Sequence, residues 1–302
     1  MTRIATSLAG VCIVRDACDL IGLVCGHYLR IGVGHIRFID DGSTDGTYQF
    51  LSRLAHKDQR VSVARVDNPE FRQAELISEA ANELASRGFN MILPFDVDEF
   101  WNISGPELEK RYAWHGEVAF RGRWINFVQS AQMTEAKPFY LLRTRYSAPA
   151  LDDANEATVC AYKSPFVGFT TTKIGFKAVS PVQLDLGQHN LLKGPKECSP
   201  IMYQIFHLPF RNKSEIIKRA LDHEPRRSPS RTAPSTNWQS LFHRQAVLAG
   251  RIDEVWLANS ADRYGFLNCG GERIVLARDR RMQEMLIKSN VYMALRHRML
   301  LS

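Results

Sequence analysis

Three carboxylates follow an apolar run about a third of the way along the chain. Residues 89–95 have the length and composition of a buried strand, and Asp96, Asp98 and Glu99 come directly after them. Buried carboxylates without a partner are costly, so these acids predict a cation beside them. Hard oxygen ligands suit Mg²⁺ or Mn²⁺, which can clamp a diphosphate and neutralise a phosphate leaving group. The pattern predicts a divalent-metal site for a phosphorylated ligand.

Alternating strand and helix patterns come before these acids. Apolar runs predict the strands, and helical spacing of apolar residues predicts the helices between them. In chain order the predicted elements are strand 7–14, helix 19–30, strand 35–39, helix 47–55, strand 61–66 and helix 73–87. This alternation with short connections predicts the α/β class, with a parallel sheet covered by helices on both faces.

Two more acidic positions fall at the ends of predicted strands. Asp16 follows the first strand, and Asp40 with Asp41 follows the second. Ligands of parallel sheets bind beyond the C-terminal strand ends, which lie along one edge. We therefore expect Asp16 and Asp40 to converge on the crevice that holds Asp96 and Asp98.

The second half of the chain has a more antiparallel pattern. Its predicted strands are 117–120, 124–128, 140–144, 171–179 and 203–208. Its predicted helices are 213–221, 238–257 with a break at Gly250, and a basic amphipathic helix, 282–301. Residues 224–236 contain three prolines and no apolar period, which predicts a loop or lid rich in arginine.

Composition and charge narrow the classes of protein. The chain has 302 residues, a net charge of +7 and 45% hydrophobic residues, as in ordinary globular proteins. No segment reaches the ~18 apolar residues of a transmembrane helix, and residues 8–14 are too short an apolar region for a signal peptide, so we expect a cytoplasmic protein.

The six cysteines form no C-x-x-C pair, which argues against zinc. The basic excess favours an anionic partner, and the helix 282–301 could contact the inner face of a membrane.

Seven short motifs follow one another along the chain: 14–16 (VRD), 26–33 (GHYLRIGV), 38–47 (FIDDGSTDGT), 93–100 (LPFDVDEF), 124–127 (WINF), 173–179 with His189, and 207–214 (HLPFRNKS). In this order they resemble the motifs of the GT-A glycosyltransferases, specifically the broad family 2 and its relatives with a D-x-D-E-F centre. The resemblance covers residues 7–221. It implies a GT-A catalytic domain over 1–221, with the loop and helices of 222–302 as a C-terminal extension of the same domain.

The resemblance also implies an activity. It is the inverting, metal-dependent transfer of a sugar from a nucleotide-diphosphate sugar to a glycan or lipid-linked acceptor, with Mn²⁺ or Mg²⁺ as cofactor. Carried over by position, Asp98 ligates the metal, Asp96 approaches the metal and the ribose, and His207 completes the metal shell. Asp40 faces the base or ribose, and Asp16 lies near the base.

Other roles are less fully specified. By the resemblance, Glu99 shapes the acceptor or sugar side. Arg211 is a cation available to stabilise the diphosphate, since charge grows on that group as it leaves. The sequence lacks the "ED" motif of well-known inverting members, which leaves the catalytic base open among His189, Asp152, Asp153 and Asp185. It also departs from the family pattern at two places, Ala17 in place of a common glutamate and Phe127-Val128 in place of Phe-Gly.

Two other classes of function stay open. A nucleotidyltransferase also uses paired acids on a doubly wound sheet, but it usually has a glycine-rich phosphate loop after the first strand, where residues 15–18 here are Arg-Asp-Ala-Cys. A basic nucleic-acid-binding module agrees with the net charge, but no recognition helix or aromatic-basic strand motif supports it. Nucleic acid is therefore not an expected partner.

Overall fold

The structure is a computed structural model that describes residues 7–66, 72–136, 140–150, 165–177, 181–222 and 238–299. The predicted loop 224–236 and the candidate bases Asp152 and Asp153 lie outside these residues.

The first half of the chain alternates strands and helices as predicted. Its elements are β1 (Leu8–Val14), α1 (Ile21–Arg30), β2 (His35–Asp40), α2 (Thr47–Lys57), β3 (Val61–Arg65), α3 (Gln73–Ser86), β4 (Met91–Pro94), β5 (Glu99–Trp101) and α4 (Gly105–Arg111). Strands β1, β2 and β4 are almost wholly buried, as expected of parallel strands covered on both faces.

The second half adds shorter strands and the remaining helices. They are β6 (Val118–Val128), β7 (Tyr146–Ser147), β8 (Thr172–Lys177), β9 (Gln183–Leu184), β10 (Leu191–Lys193), β11 (Cys198–His207), α5 (Lys213–Asp222), α6 (Trp238–Leu248), α7 (Ile252–Ala258), β12 (Phe266–Cys269), β13 (Glu272–Val275), β14 (Ala277–Arg278) and α8 (Arg281–Met299). The predicted helix 238–257 is present as α6 and α7, with the break at Gly250, whose φ is +68°.

The main sheet has the order β14-β7-β6-β8-β4-β1-β2-β3, and β11 pairs with both β6 and β5. Strands β3, β2, β1 and β4 are parallel neighbours. Strand β8 lies antiparallel between β4 and β6, so β6 runs in the same direction as β4. The sheet is thus mostly parallel and flanked by helices, with further helices at the C-terminal end of the chain, and the predicted fold class is confirmed.

Two details of the strand predictions in the second half are wrong. The predicted strands 117–120 and 124–128 are both present, but they form one continuous strand, β6, with no break between them. Gly122 lies at its centre, where a Cβ would collide with the side chains of Ile205 and Trp101. Residues 140–144 form a 3-10 turn, Tyr140–Arg143, instead of a strand. The Thr144 hydroxyl donates a hydrogen bond to the Leu141 carbonyl, 2.8 Å away, and this local bond closes the turn.

The C-terminal helix α8 packs against α1 in the first half of the chain. The contact is close at Gly26, where a Cβ would collide with the Ser289 carbonyl oxygen. Arg60, which precedes β3, also donates to the Tyr292 hydroxyl at 3.4 Å. Helix α8 is therefore fixed to the sheet that carries the acids. Within the described residues, no helix is both long and apolar enough to cross a membrane.

Candidate active site

Parallel pairing places the acidic strand ends along one edge of the sheet. Val14 at the end of β1 lies beside Asp40 at the end of β2, and Val11 lies beside Pro94 at the end of β4. Asp16 and Asp96 each follow their strand by two residues. The turns that carry Asp16, Asp40 and Asp96 are therefore neighbours, as the parallel sheet predicts.

Asp16 organises the turn that follows β2. Its φ is +46°, in the left-handed region, which turns its carboxylate towards residues 43–45. There it accepts hydrogen bonds from the backbone of Thr44 (2.7 Å) and Asp45 (3.2 Å), and it forms an ion pair with Lys218 (3.0 Å). Partial burial opposes ionisation, but the bonds from Thr44 and Lys218 outweigh it, and the pKa of Asp16 is lowered.

Asp40 also holds the turn that follows β2. Its side chain is fully buried, and Oδ2 accepts the Ser43 backbone N–H at 3.1 Å. The Arg65 guanidinium lies 3.8 Å from that oxygen, while Oδ1 has no hydrogen-bond partner among the described residues. Asp40 Oδ1 is thus a buried acceptor that the described residues leave without a hydrogen bond.

Asp96 is held by a buried lysine that the sequence did not single out. The Lys173 ammonium, on β8, lies 2.5 Å from Asp96 Oδ2, 3.1 Å from Glu99 Oε1 and 3.1 Å from Gln188 Oε1. Burial opposes the charge on Lys173, but the two carboxylates outweigh it and raise the pKa of this lysine. Asp96 Oδ1 also accepts a 3.3 Å hydrogen bond from Gln73. The Asp96 carboxylate therefore already has a cationic partner.

Glu99 lies beneath the crevice rather than in it. Its side chain is fully buried, and Oε2 accepts the Asp96 backbone N–H at 3.0 Å while Oε1 faces Lys173. Burial raises the pKa of Glu99, and the Lys173 ammonium opposes that rise. These contacts hold the turn that carries Asp96.

Asp98 and His207 face each other across the crevice. His207 ends β11, and its Nε2 lies 3.9 Å from Asp98 Oδ1. The imidazole stacks on the Trp124 ring, with centroids 4.0 Å apart, and its Nδ1 lies 2.7 Å from Asn126 Oδ1. Burial raises the pKa of Asp98, and burial followed by the charge of Lys173 lowers the pKa of His207 to about 3.

The pair formed by Asp98 and His207 fits a divalent metal, and Asp96 fits it less well. Two atoms that share such an ion lie about 2.1 Å from it and so roughly 3–4 Å from each other, as Asp98 Oδ1 and His207 Nε2 do. Asp96 instead binds Lys173. Among the described residues, no group of three or more His, Cys, Asp or Glu side chains is arranged around a metal position. A metal at this pair would need its other ligands from the substrate or water.

The buried guanidinium of Arg211 is paired away from the crevice. Its Nε lies 3.4 Å from Asp19 and its Nη2 lies 3.0 Å from Glu215. Burial opposes its charge, but Glu215 and Asp19 outweigh the burial and raise the pKa of Arg211. The half-exposed cations of α5 lie nearer the acids: Lys218 pairs with Asp16, and Arg219 Nη1 lies 3.9 Å from Asp98 Oδ2.

Of the candidate bases that the structure describes, His189 has a ring nitrogen that can accept a proton. Its Nδ1 donates to the Thr172 carbonyl at 2.7 Å, which leaves a lone pair on Nε2. Burial, followed by the charge of Lys173, lowers the pKa of His189. Asp185 instead accepts backbone bonds from His189 (2.7 Å) and Asn190 (2.9 Å), so its carboxylate holds the loop.

Comparison with known proteins gives only distant similarities. No protein-family model and no curated protein sequence matches the chain. The structure of S. aureus TarS is 10% identical, with a TM-score of 0.36, over 71% of this chain and 38% of that one. A mannosyltransferase from Pyrobaculum calidifontis, PcManGT, in complex with GDP-Man and Mn²⁺, is 15% identical over 85% of this chain and 75% of that one, with a TM-score of 0.38. A Bacillus anthracis structure described as a putative glucose-1-phosphate thymidylyltransferase is 9% identical, with a TM-score of 0.30, over 42% of this chain and 57% of that one. These likenesses are too weak to decide the chemistry.

Proposed function

We propose that the protein is a metal-dependent glycosyltransferase of the GT-A type, which transfers a sugar from a nucleotide-diphosphate sugar with inversion. The observation that carries this proposal is the pair of Asp98 and His207, 3.9 Å apart, where Asp98 directly precedes β5 and His207 ends β11. A carboxylate and an imidazole are ligands that Mn²⁺ accepts, and carboxylates suit Mg²⁺. The motif resemblance noted above supports the same function.

Each part of the crevice has a role in this proposal. Asp98 and His207 would hold Mn²⁺ or Mg²⁺, which when bound supplies positive charge for the diphosphate leaving group. Asp40 and Asp16 shape the turn that receives the nucleoside, with one Asp40 oxygen left for a hydrogen bond. Asp96 would contact the ribose while its other oxygen stays on Lys173.

The cations of the crevice divide into two groups. Lys218 and Arg219 are half-exposed and close to the acids, so we assign them the diphosphate. Arg211 would act indirectly, because its guanidinium holds Glu215, and Glu215 pairs with Arg219.

The transfer step needs a base for the acceptor hydroxyl. The hydroxyl oxygen attacks the anomeric carbon, the bond to the diphosphate oxygen breaks with its electrons, and the hydroxyl proton passes to the base. We assign that role to His189, whose Nε2 carries the lone pair. For Glu99 we propose a positioning role, through the Asp96 backbone and Lys173.

The exposed face of α8 supports a glycan or lipid-linked acceptor. Ile287, Val291 and Leu295 are exposed at a spacing of four residues, so they form one apolar stripe, and Lys288 lies exposed beside it. We propose that this stripe rests on an anionic membrane surface, since exposed lysine and apolar side chains together favour such lipids.

Vesicle co-sedimentation tests the membrane contact. Val291→Ser should reduce binding to vesicles of anionic phosphatidylglycerol, while Leu248→Ser, at a still more exposed apolar residue on α6, should not. Equal binding by both variants, or a dimer in solution that Val291→Ser disrupts, would contradict the membrane contact.

A thermal-shift panel tests the main proposal. UDP-, GDP-, dTDP- and CMP-sugars are added with and without Mn²⁺, and one donor should raise the melting temperature only when the metal is present. Asp98→Asn should lose this shift and all transfer, while the exposed Asp253→Asn should keep both. Full activity of Asp98→Asn would refute the metal site.

The alternative, a nucleotidyltransferase, is distinguished from a glycosyltransferase by the product that it releases. That enzyme would release pyrophosphate from a nucleoside triphosphate and a sugar phosphate, and the glycosyltransferase would release a nucleoside diphosphate. Salt-dependent nucleic-acid binding that Mn²⁺ and sugar nucleotides do not affect would instead favour a binding module.

A further inference from the structure

The orientation of the Asn126 side chain is fixed by its hydrogen bonds. Asn126 lies near the end of β6 and is buried. Its amide nitrogen lies 2.6 Å from the Val167 carbonyl and 2.7 Å from the Phe169 carbonyl. Carbonyl oxygens only accept hydrogen bonds, so this atom must be the NH₂ group, and both of its protons are used. The other end of the amide is therefore the oxygen.

That oxygen determines which nitrogen of His207 carries the proton. Asn126 Oδ1 lies 2.7 Å from His207 Nδ1, and it can only accept. Nδ1 must therefore donate. In a neutral imidazole the proton on Nδ1 leaves the lone pair on Nε2, which is the nitrogen that faces Asp98 at 3.9 Å.

The two carbonyls that fix Asn126 are themselves held by the C-terminal part of the chain. They belong to the 3-10 turn Phe166–Gly168 and the residue after it. The Val167 backbone N–H donates to Asn259 Oδ1 at 3.0 Å, and Asn259 Nδ2 donates to the Val255 carbonyl in α7 at 2.8 Å. Asn259 and Val167 are both buried. A continuous series of buried hydrogen bonds thus runs from α7 to His207.

We propose that Asn126 is a positioning residue that fixes His207 in the tautomer with the proton on Nδ1, so that Nε2 can bind the metal beside Asp98. The hydrogen bonds from α7 through Asn259 and Val167 keep Asn126 in that orientation. The metal-binding half of this inference rests on the proposed function, while the tautomer itself does not. Such supporting residues affect metal affinity nearly as strongly as the ligands do.

The tautomer is measured directly in metal-free protein. Selective ¹⁵N labelling of histidine and two-bond ¹H–¹⁵N correlation should show His207 with Nδ1 protonated at neutral pH. Asn126→Leu, which has a similar shape and no acceptor, should give a mixture or the other tautomer. Gln129→Met, which removes a buried amide that bonds Thr144, should leave the His207 signals unchanged.

Mn²⁺ binding, followed by the paramagnetic resonance of the free ion, tests the consequence. Asn126→Leu should weaken Mn²⁺ binding by roughly 10–100-fold, and Gln129→Met should not. A wild-type His207 protonated on Nε2 would overturn the proposal even if every variant failed to fold. If Asn126→Leu loses the tautomer with the proton on Nδ1 but binds Mn²⁺ as tightly as the wild type, the metal-binding half of the proposal is overturned. A protein that binds Mn²⁺ in this way and transfers no sugar would refute the glycosyltransferase but support the role of Asn126.

Discussion

The Lys173 ammonium lies 2.5 Å from the Asp96 carboxylate. Lys173 is on β8 and Asp96 follows β4, and these two strands are neighbours in the sheet but far apart in the chain. Lys173 is 1% exposed and also faces the fully buried Glu99. A single buried cation therefore balances two acids. The chain itself therefore supplies a counter-charge for the buried Glu99 and the partly exposed Asp96.

Removal of this cation should destabilise the fold strongly. Lys173→Met keeps much of the volume but leaves Glu99 and Asp96 without a counter-charge, which we expect to cost about 3–5 kcal/mol in the free energy of unfolding. Urea denaturation measures this cost. In the double variant Lys173→Met with Glu99→Gln the loss should be smaller than the sum of the single changes. Strictly additive losses would show that the two side chains do not interact.

The parallel half of the fold was predictable from local sequence. Strands such as β1 and β4 are buried on both faces, so they are continuous apolar runs, and the acids that follow them mark the ligand edge. The closeness of Asp98 and His207 was anticipated only through the family resemblance, because it depends on the pairing of β5 with β11, which no local pattern predicts.

The long-range pairings were not predictable in the same way. Lys173 becomes a site residue because β8 inserts antiparallel between β4 and β6, and only the whole sheet determines that order. A lysine within an otherwise buried strand was the available signal. The hairpin of β12 and β13 was missed although Gly270 and Gly271, both with positive φ, form the two-residue turn typical of hairpins.

The packing of α8 on α1 gives a prediction about stability. Gly26→Ala places a methyl group against the Ser289 carbonyl, and the helices must separate, which should cost about 1–3 kcal/mol. Gly22→Ala on the same helix is the matched control, since its Cβ would meet Phe50 at an ordinary 3.5 Å. Thermal or urea denaturation distinguishes them. Equal stability of the two variants would mean that α8 does not pack closely at Gly26.

The cations of α5 should act on the donor. Arg219→Gln removes the guanidinium that lies 3.9 Å from Asp98, and the loss of one charged group at a leaving phosphate lowers kcat/KM by about 10²-fold or more. Mn²⁺ affinity should not fall, since a positive charge beside Asp98 opposes metal binding. Steady-state kinetics with the donor from the thermal-shift panel measures the first effect. Lys288→Gln, an exposed change on α8, is the control for net charge.

Acid should destabilise the protein, in part through His27. Burial, followed by the charge of Arg30, lowers the pKa of His27 to about 3, while an unfolded histidine titrates near 6.5. Between these values the unfolded chain binds a proton that the folded chain does not, so stability is full above pH 6.5 and falls as the pH drops towards 3. At pH 5 the loss from this residue is about 2 kcal/mol.

A substitution isolates that contribution. His27 Nε2 donates to the Trp101 carbonyl at 2.9 Å, and the amide of His27→Gln can make the same bond without titrating. The stability of His27→Gln should therefore fall less between pH 7.5 and pH 5 than that of the wild type, by about 2 kcal/mol, in urea denaturation at each pH. His56→Gln, on the exposed face of α2, should retain the wild-type pH dependence. Parallel pH profiles for wild type and His27→Gln would show that folding does not lower the pKa of His27, contrary to its burial on the inner face of α1.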